Sequence, residues 1–223
     1  MNAPDSRFAI APEQRTLPGV IEGRLREWII EGVLEPGARL NERVLCEQLE
    51  VSRTPLREAL RRLAHDGLCE VIPNRGAFVT RMSREAVLES FQVMGALEAL
   101  SAELACARIT DREVDEIEAL TFEMRACHAR RDLPEYYRFN RAIHERISRA
   151  AHNELLADLS QRLNLRIQNL RFRSNQVPKK WEAAVQEHVR MVELLRARDS
   201  ATLAALMREH IARKADSVLV TLD

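Results

Sequence analysis

From Ser83 onward the chain shows helical periodicity and no strand signal, which restricts this stretch of about 140 residues to a helical bundle. Six helices are expected, at about 84–107, 111–130, 133–151, 153–174, 179–198 and 200–221. The breaks fall at Thr110-Asp111, Asp132 to Pro134, His152-Asn153, Pro178 and Asp199-Ser200. Each supplies a short polar side chain that can accept from the free N–H groups of the next helix, or a proline that cannot continue the last one. Aromatic residues are only 4% of the chain, so the core has to be built mainly from Leu, Ala, Ile and Val.

The first third is organised differently. Residues 1–17 are polar and proline-containing and read as a flexible arm. Val20, Ile21, Leu25, Trp28 and Ile29 then fall on one stripe of a helix that Gly32 stops. A turn built on Pro36-Gly37 leads to Asn41, which caps a short helix carrying Val44, Leu45 and Leu49. Ser52 opens a third helix, with Pro55 in its first turn, running to about Asp66 and ended by Gly67. The period then drops to two: the runs 68–72 and 77–80 are strand-like and are joined by Pro73-Asn74-Arg75-Gly76, a hairpin tip. Residues 18–81 therefore read helix, helix, helix, hairpin, the layout of a winged helix-turn-helix, and residues 82–223 form a second domain. The expected fold class is mainly α, an N-terminal winged helix-turn-helix plus a C-terminal all-helical bundle of six to seven helices.

Charge selects partners only through its local pattern. Lys+Arg 34 balance Asp+Glu 34, and residues 15–81 hold 11 Arg against 10 Asp and Glu. Net charge thus gives no reason to expect a polyanion. Placement does. Arg53, Arg57 and Arg61 stand at i, i+4 and i+8 and share one face of the third helix, while Leu56, Leu60 and Leu63 form the inward stripe. Guanidinium groups on an outer helix face suit the major groove, where Arg contacts phosphate or bonds guanine O6 and N7 with two parallel donors. The helix start at Ser52, Arg53 and Thr54 offers free N–H groups to phosphate, and Arg75 at the hairpin tip is placed to touch the adjacent backbone or minor groove. No run of about 18 apolar residues occurs, and the N-terminal residues lack the apolar core of a secretory signal, so a cytoplasmic protein without membrane partners is expected. The scattered Cys46, Cys69, Cys106 and Cys127 form no C-x-x-C pair and read as reduced, mostly buried thiols.

Three of the six histidines point to a second site. Asn140 and His144 are four residues apart on one helix and share a face. His188 and His210 are equidistant from residue 199, where their helices are joined. If those helices pack antiparallel, both rings sit at one height, and a third helix bringing Asn140 and His144 to that height would complete a cluster of one asparagine and three histidines; the other reading of the spacing is unrelated surface or capping histidines. Nitrogen ligands of this kind suit Zn²⁺ or Ni²⁺, with an oxygen on the fourth side. His65, His128 and His152 read as surface or capping residues. His144-Glu145 continues Arg146-Ile147-Ser148, so the second histidine of H-E-x-x-H is missing.

Residues 20–81 resemble the GntR family of bacterial transcription regulators. The resemblance is carried by Leu25-Arg26, Ile29, Gly32 through Gly37, Leu40-Asn41-Glu42, the stretch Ser52-Arg53-Thr54-Pro55-Leu56-Arg57-Glu58-Ala59-Leu60, Leu63, Asp66-Gly67-Leu68 and Pro73-Asn74-Arg75-Gly76. It implies DNA contacts from Arg43 on the second helix, from Ser52, Arg53, Thr54 and Arg57 on the third, and from the wing at Asn74, Arg75 and Gly76. Residues 84–221 resemble the FadR-type C-terminal effector domain (FCD) of one GntR subfamily, through Leu97-Glu98, Ala102, Leu104-Ala105, Phe139-Asn140, Ile143-His144, Glu187-His188 and His210. In that domain one Asp and three His commonly bind a divalent metal, with a small carboxylate-containing metabolite against it. The resemblance therefore implies metal ligands at Asn140, His144, His188 and His210.

Two departures bear on the pocket. Asn140 replaces the usual Asp; its amide oxygen is neutral and a weaker ligand, which leaves the ion its full charge for an anionic effector. Met94 stands where the family often carries the arginine that clamps the carboxylate. Arg166 or Arg171 can take over that role, and helical phase does not decide between them. The expected function is a dimeric, ligand-responsive regulator, with repression as the family's commoner mode. Two winged domains would bind a palindromic operator DNA, and a small organic acid in the bundle would act on them at a distance. The alternatives are a sensor in which the ion itself is the signal and a metal hydrolase built on the three histidines.

Overall fold

The computed structural model describes residues 16–174, 178–220 and 222. Among them are nine helices and one three-stranded sheet. The chain divides into two compact units, Met1–Arg81 and Met82–Asp223. Most of the arm expected at the N-terminus, residues 1–15, lies outside the described residues, as do residues 175–177 next to the break at Pro178.

In the first unit, α1 (Leu17–Glu31) begins earlier than its apolar stripe predicts, because Pro18 is accommodated in the first turn, where no N–H is required. Gly32 ends it with φ 81°, a left-handed cap that an L side chain would strain. Then follow β1 (Arg39–Leu40), α2 (Glu42–Leu49), α3 (Arg53–His65), β2 (Cys69–Ile72) and β3 (Gly76–Val79). Asn41 caps α2, its side chain accepting from the N–H groups of Arg43 and Val44. Ser52 has the extended backbone of a cap before α3 but makes no cap hydrogen bond with its side chain. Leu56, Ala59, Leu60 and Leu63 of α3 share one core with Ile21, Leu25 and Ile29 of α1 and with Leu45 and Leu49 of α2. Burying each large aliphatic side chain contributes about 1.5–3 kcal/mol, and that burial fixes which face of α3 looks outward.

The sheet runs β1-β3-β2, all antiparallel, with Leu40 and Val71 both opposite Ala77. The sequence predicts only the hairpin. β1 is two residues long, too short for alternation to register. It is set instead by the turn at Gly37, φ 83°, after which the Val79 N–H donates to the Ala38 carbonyl.

The second unit comprises α4 (Arg84–Arg108), α5 (Asp111–Arg130), α6 (Leu133–Ala150), α7 (Glu154–Ser174), α8 (Pro178–Ala197) and α9 (Ser200–Leu219). The breaks read from the sequence carry caps: Thr110 forms a capping box with Glu113, Asp132 accepts from the Glu135 N–H, Asn153 from Leu156 and Asp199 from Thr202. Small residues let α4 lie close to α9; a Cβ on Gly95 would sit 3.7 Å from Ile211. Ile117, Met124, Tyr136, Ile143, Ile147, Met191, Leu195 and Met207 are nearly inaccessible and belong to the main core. Into this interior the sequence also places Glu98, Asn140, His144, Arg171, His188 and His210, none more than 7% exposed. Polar groups that deep need partners.

Candidate metal centre and nucleic-acid interface

Three helices bring the histidines together. His144 of α6, His188 of α8 and His210 of α9 have ring centroids 5.1, 5.3 and 5.0 Å apart, and one nitrogen of each lies within 4.8 Å of the others. The short α8–α9 connection puts His188 and His210 level, as their spacing predicts. Asn140 is buried one turn before His144 on the same helix face.

The outer nitrogen of each ring is already committed. His144 Nδ1 lies 2.5 Å from Glu98 Oε2, His210 Nδ1 2.5 Å from Glu187 Oε2, and His188 Nδ1 2.6 Å from the Ala184 carbonyl oxygen. Carboxylates and carbonyls accept, so each Nδ1 carries the proton and donates it. Each Nε2 of a neutral ring is then a lone pair. The Nε2 atoms of His144 and His188 are 3.2 Å apart, and the buried Nε2 of His210 has no hydrogen-bond partner. Convergent lone pairs in a buried site repel unless a cation lies between them. Imidazoles oriented by a carboxylate or carbonyl behind them are the usual surroundings of a metal-bound histidine. The donor set therefore fits a borderline divalent ion.

Burial holds His188 well below the usual imidazole value, with His210 and His144 adding to the effect. Burial also brings His210 down to about 4, against the opposing pull of Glu187. Burial pushes the Glu98 carboxyl up, but the facing His144 and the Arg171 guanidinium outweigh it and hold the group at about 2. Glu187 is lowered in the same way, burial being overcome by His210 and Arg213. The lowered His210 thus stands in front of the ionised Glu187, while the lowered His188 is backed by the Ala184 carbonyl.

A cavity of about 50 Å³ adjoins the cluster, lined by Met94, Glu98, His144, Asn164 and Arg171 among others. Arg171 Nη1 is 2.9 Å from Asn164 Oδ1 and 3.5 Å from Glu98 Oε1. The buried hydroxyls of Ser148 and Ser160 also line it and have no hydrogen-bond partner. Between the two candidate arginines the geometry is unequal. Arg171 is buried in the cavity wall, whereas Arg166 is exposed and lines no part of the cavity, which corrects the expectation that either could serve. Five residues along a helix rotate a side chain by about 140°, enough to put one inside and the other out.

The first unit sorts its balanced charge. Of the ten arginines between residues 16 and 81, Arg24, Arg26, Arg43, Arg57 and Arg62 form ion pairs with acids of the same unit. Among the described residues Arg39, Arg53, Arg61, Arg75 and Arg81 form none. Arg53 and Arg61 lie on the exposed face of α3, beside exposed Ser52 and Thr54. Arg75 is at the exposed wing tip, between Asn74, φ 61°, and Gly76, φ 99°. Arg39 of β1 lies against Gly76, its Nε 3.7 Å from where a Cβ would be. Arg43 and Arg57 are exposed but engaged, with Glu47 and Glu42 respectively.

Sequence reasoning missed Glu98, Glu187 and Arg39 as members of these sites. Glu98 had a legible signal: it interrupts the buried stripe Val87, Phe91, Met94, Ala102, Ala105 of α4, and an acid on such a stripe needs a partner. Glu187 precedes His188 directly. Arg39 had none, because β1 itself was not legible.

Comparison with known proteins agrees with this architecture. Residues 19–79 match the bacterial regulatory proteins of the gntR family, and residues 89–213 match the FCD domain. The chain is 26% identical over 194 residues to the HTH-type transcriptional repressor RspR of Escherichia coli, covering 87% of this chain and 85% of that protein. It is 30% identical over 171 residues to the regulator YdhC of Bacillus subtilis, covering 76% of each. In fold it is similar to Escherichia coli McbR/YncC, with a TM-score of 0.83 at 22% identity, covering 94% of this chain and 100% of that one. All three relatives are HTH-type transcription regulators. With both halves matched in order, this chain belongs to the GntR family of bacterial transcription regulators, a winged helix-turn-helix followed by an FCD effector domain.

Proposed function

We propose that this regulator binds a palindromic operator as a homodimer and responds to a small carboxylate that docks beside a divalent metal in the bundle. The observation that carries the reading is the trio of Nε2 lone pairs, each ring held from behind by Glu98, Glu187 or the Ala184 carbonyl. His144, His188 and His210 would hold the ion, Zn²⁺ or Ni²⁺ by donor chemistry, with Asn140 nearest in sequence to supply an oxygen. When bound, the metal supplies a Lewis-acidic positive charge that attracts an anion. Arg171 and the hydroxyls of Ser148 and Ser160 would orient that anion, and Met94 would pack its apolar part. The cavity of about 50 Å³ favours a small acid.

On the DNA side, Ser52, Arg53, Thr54 and Arg57 would enter the major groove, with Arg43 and the wing residues Asn74, Arg75 and Gly76 on the flanking backbone. Twofold symmetry of the dimer would be mirrored in the operator half-sites, and the protein would act as a cytoplasmic repressor released by its ligand. The test is operator binding by the metal-loaded protein with and without small carboxylates. Release of DNA by an acid only in the presence of metal supports the reading. Release by metal alone favours the ion itself as the signal.

A further inference from the structure

We infer that Glu42 sets the sequence specificity of DNA binding by fixing Arg57, an inference that rests on the assignment of α3 to the major groove. Both carboxylate oxygens of Glu42 accept from Arg57 Nε, at 3.0 and 2.9 Å. The pair joins the first residue of α2 to the outer face of α3. Its side chains remain 32% and 57% exposed, so it adds little to stability. An acid is also unexpected on a surface that meets phosphates, since it repels them.

The hydrogen-bond pattern gives that acid a use. Nε is one edge of the guanidinium. With it held, the Nη1 and Nη2 donors, which have no partner among the described residues, form the leading edge. Those parallel donors match O6 and N7 of guanine. A held arginine has also lost its rotamer freedom before DNA arrives, so less is lost on binding. Arg53 and Arg61 on the same helix have no such anchor and suit phosphates, which carry no sequence information. The Arg43–Glu47 pair stays within one helix turn of α2, at 70% and 62% exposure, and fixes nothing across elements. Glu42 is thus a positioning residue and Arg57 the reader.

The experiment uses the full chain and duplexes recovered from a random library by in vitro selection. Each guanine of a half-site is replaced in turn by adenine, and affinities are measured at fixed salt for the native protein, Glu42→Ala, Glu42→Gln, Arg57→Ala and the double variant. The native protein should discriminate at one guanine roughly five- to a hundredfold. Glu42→Ala should lose most of that discrimination while binding random-sequence DNA at least as tightly, because a repelling charge is gone. Glu42→Gln, which keeps one accepting oxygen, should fall between. The double variant should discriminate no worse than Arg57→Ala alone. If Arg57→Ala loses discrimination and Glu42→Ala does not, positioning by Glu42 is overturned and the DNA face stands. If Glu42→Ala weakens random-sequence binding as much as specific binding, its role is structural and the inference fails. If Arg57→Ala discriminates like the native protein, Arg57 is not the reader, and the assignment beneath the inference fails first.

Discussion

His144 and His188 present their Nε2 atoms to each other at 3.2 Å while the opposite nitrogen of each ring donates to Glu98 and to the Ala184 carbonyl. A shared proton can satisfy one such pair. It cannot also satisfy His210, whose buried Nε2 is unpartnered and whose Nδ1 is held by Glu187. A single divalent ion satisfies all three, and the carboxylates behind the rings are placed to strengthen them as ligands.

Glu98→Gln should therefore weaken metal binding without removing a ligand. The amide can still accept from His144 but no longer carries the charge that stabilises a metal-bound imidazole. Loss of such a partner typically costs about ten- to a hundredfold in affinity, measurable by competition with a chromophoric chelator. Unchanged affinity would mean that Glu98 serves only to neutralise Arg171.

Acid should destabilise the metal-free protein in a defined window. In the unfolded chain His188 and His210 titrate near 6.5. In the folded chain burial keeps His188 well below that value and His210 at about 4. Between those values the unfolded chain binds protons that the folded chain refuses. Stability from these groups is thus complete above about 6.5 and falls as pH drops toward about 4. Thermal unfolding of the metal-free protein across that range checks this; a melting temperature that stays level would contradict it.

The two arginines of α7 should separate cleanly. Arg171→Lys keeps a positive charge near Glu98 but loses the planar fork suited to a carboxylate. It should abolish the thermal stabilisation that a saturating small carboxylate gives the metal-loaded protein, about 2.7 kcal/mol at a hundredfold excess over Kd. Arg166→Ala, on the exposed side of the helix, should leave that stabilisation intact. Equal loss in both would remove the cavity from the effector role.

On DNA, Arg53→Ala and Arg75→Ala should each weaken binding about uniformly across sequences and flatten the salt dependence by about one phosphate contact. Neither side chain is buried, so the thermal stability of the protein should not change. Operator affinity that is insensitive to both at matched salt would take the helix start and the wing out of the interface.

The helices were legible because their breaks carry strong local chemistry: Thr110 with Glu113, Asp132, Asn153 and Asp199 all accept from the helix they open. The histidine cluster was legible for a topological reason, since two residues equidistant from a short helix–helix turn must end level. What the sequence hid were consequences of packing. Whether Arg166 or Arg171 faces inward depends on how α7 is rotated against its neighbours, and no cap or period sets that rotation. β1 exists because the Pro36-Gly37 turn delivers two residues to an edge that β3 leaves open. The ion pair that separates Arg57 from Arg53 and Arg61 crosses from α2 to α3, and only the folded geometry of the module reveals it.

The three imidazoles converge on a site that a single metal ion would fill. The most direct test is elemental analysis of the purified, tag-free protein, with native mass spectrometry on the same sample after reconstitution with Zn²⁺ or Ni²⁺. One ion per subunit is expected in the native protein, lost in His144→Ala, His188→Ala and His210→Ala, with DNA binding by the winged module retained. A native protein that takes up no metal after reconstitution, or a His188→Ala variant that keeps its full metal content, would contradict this assignment.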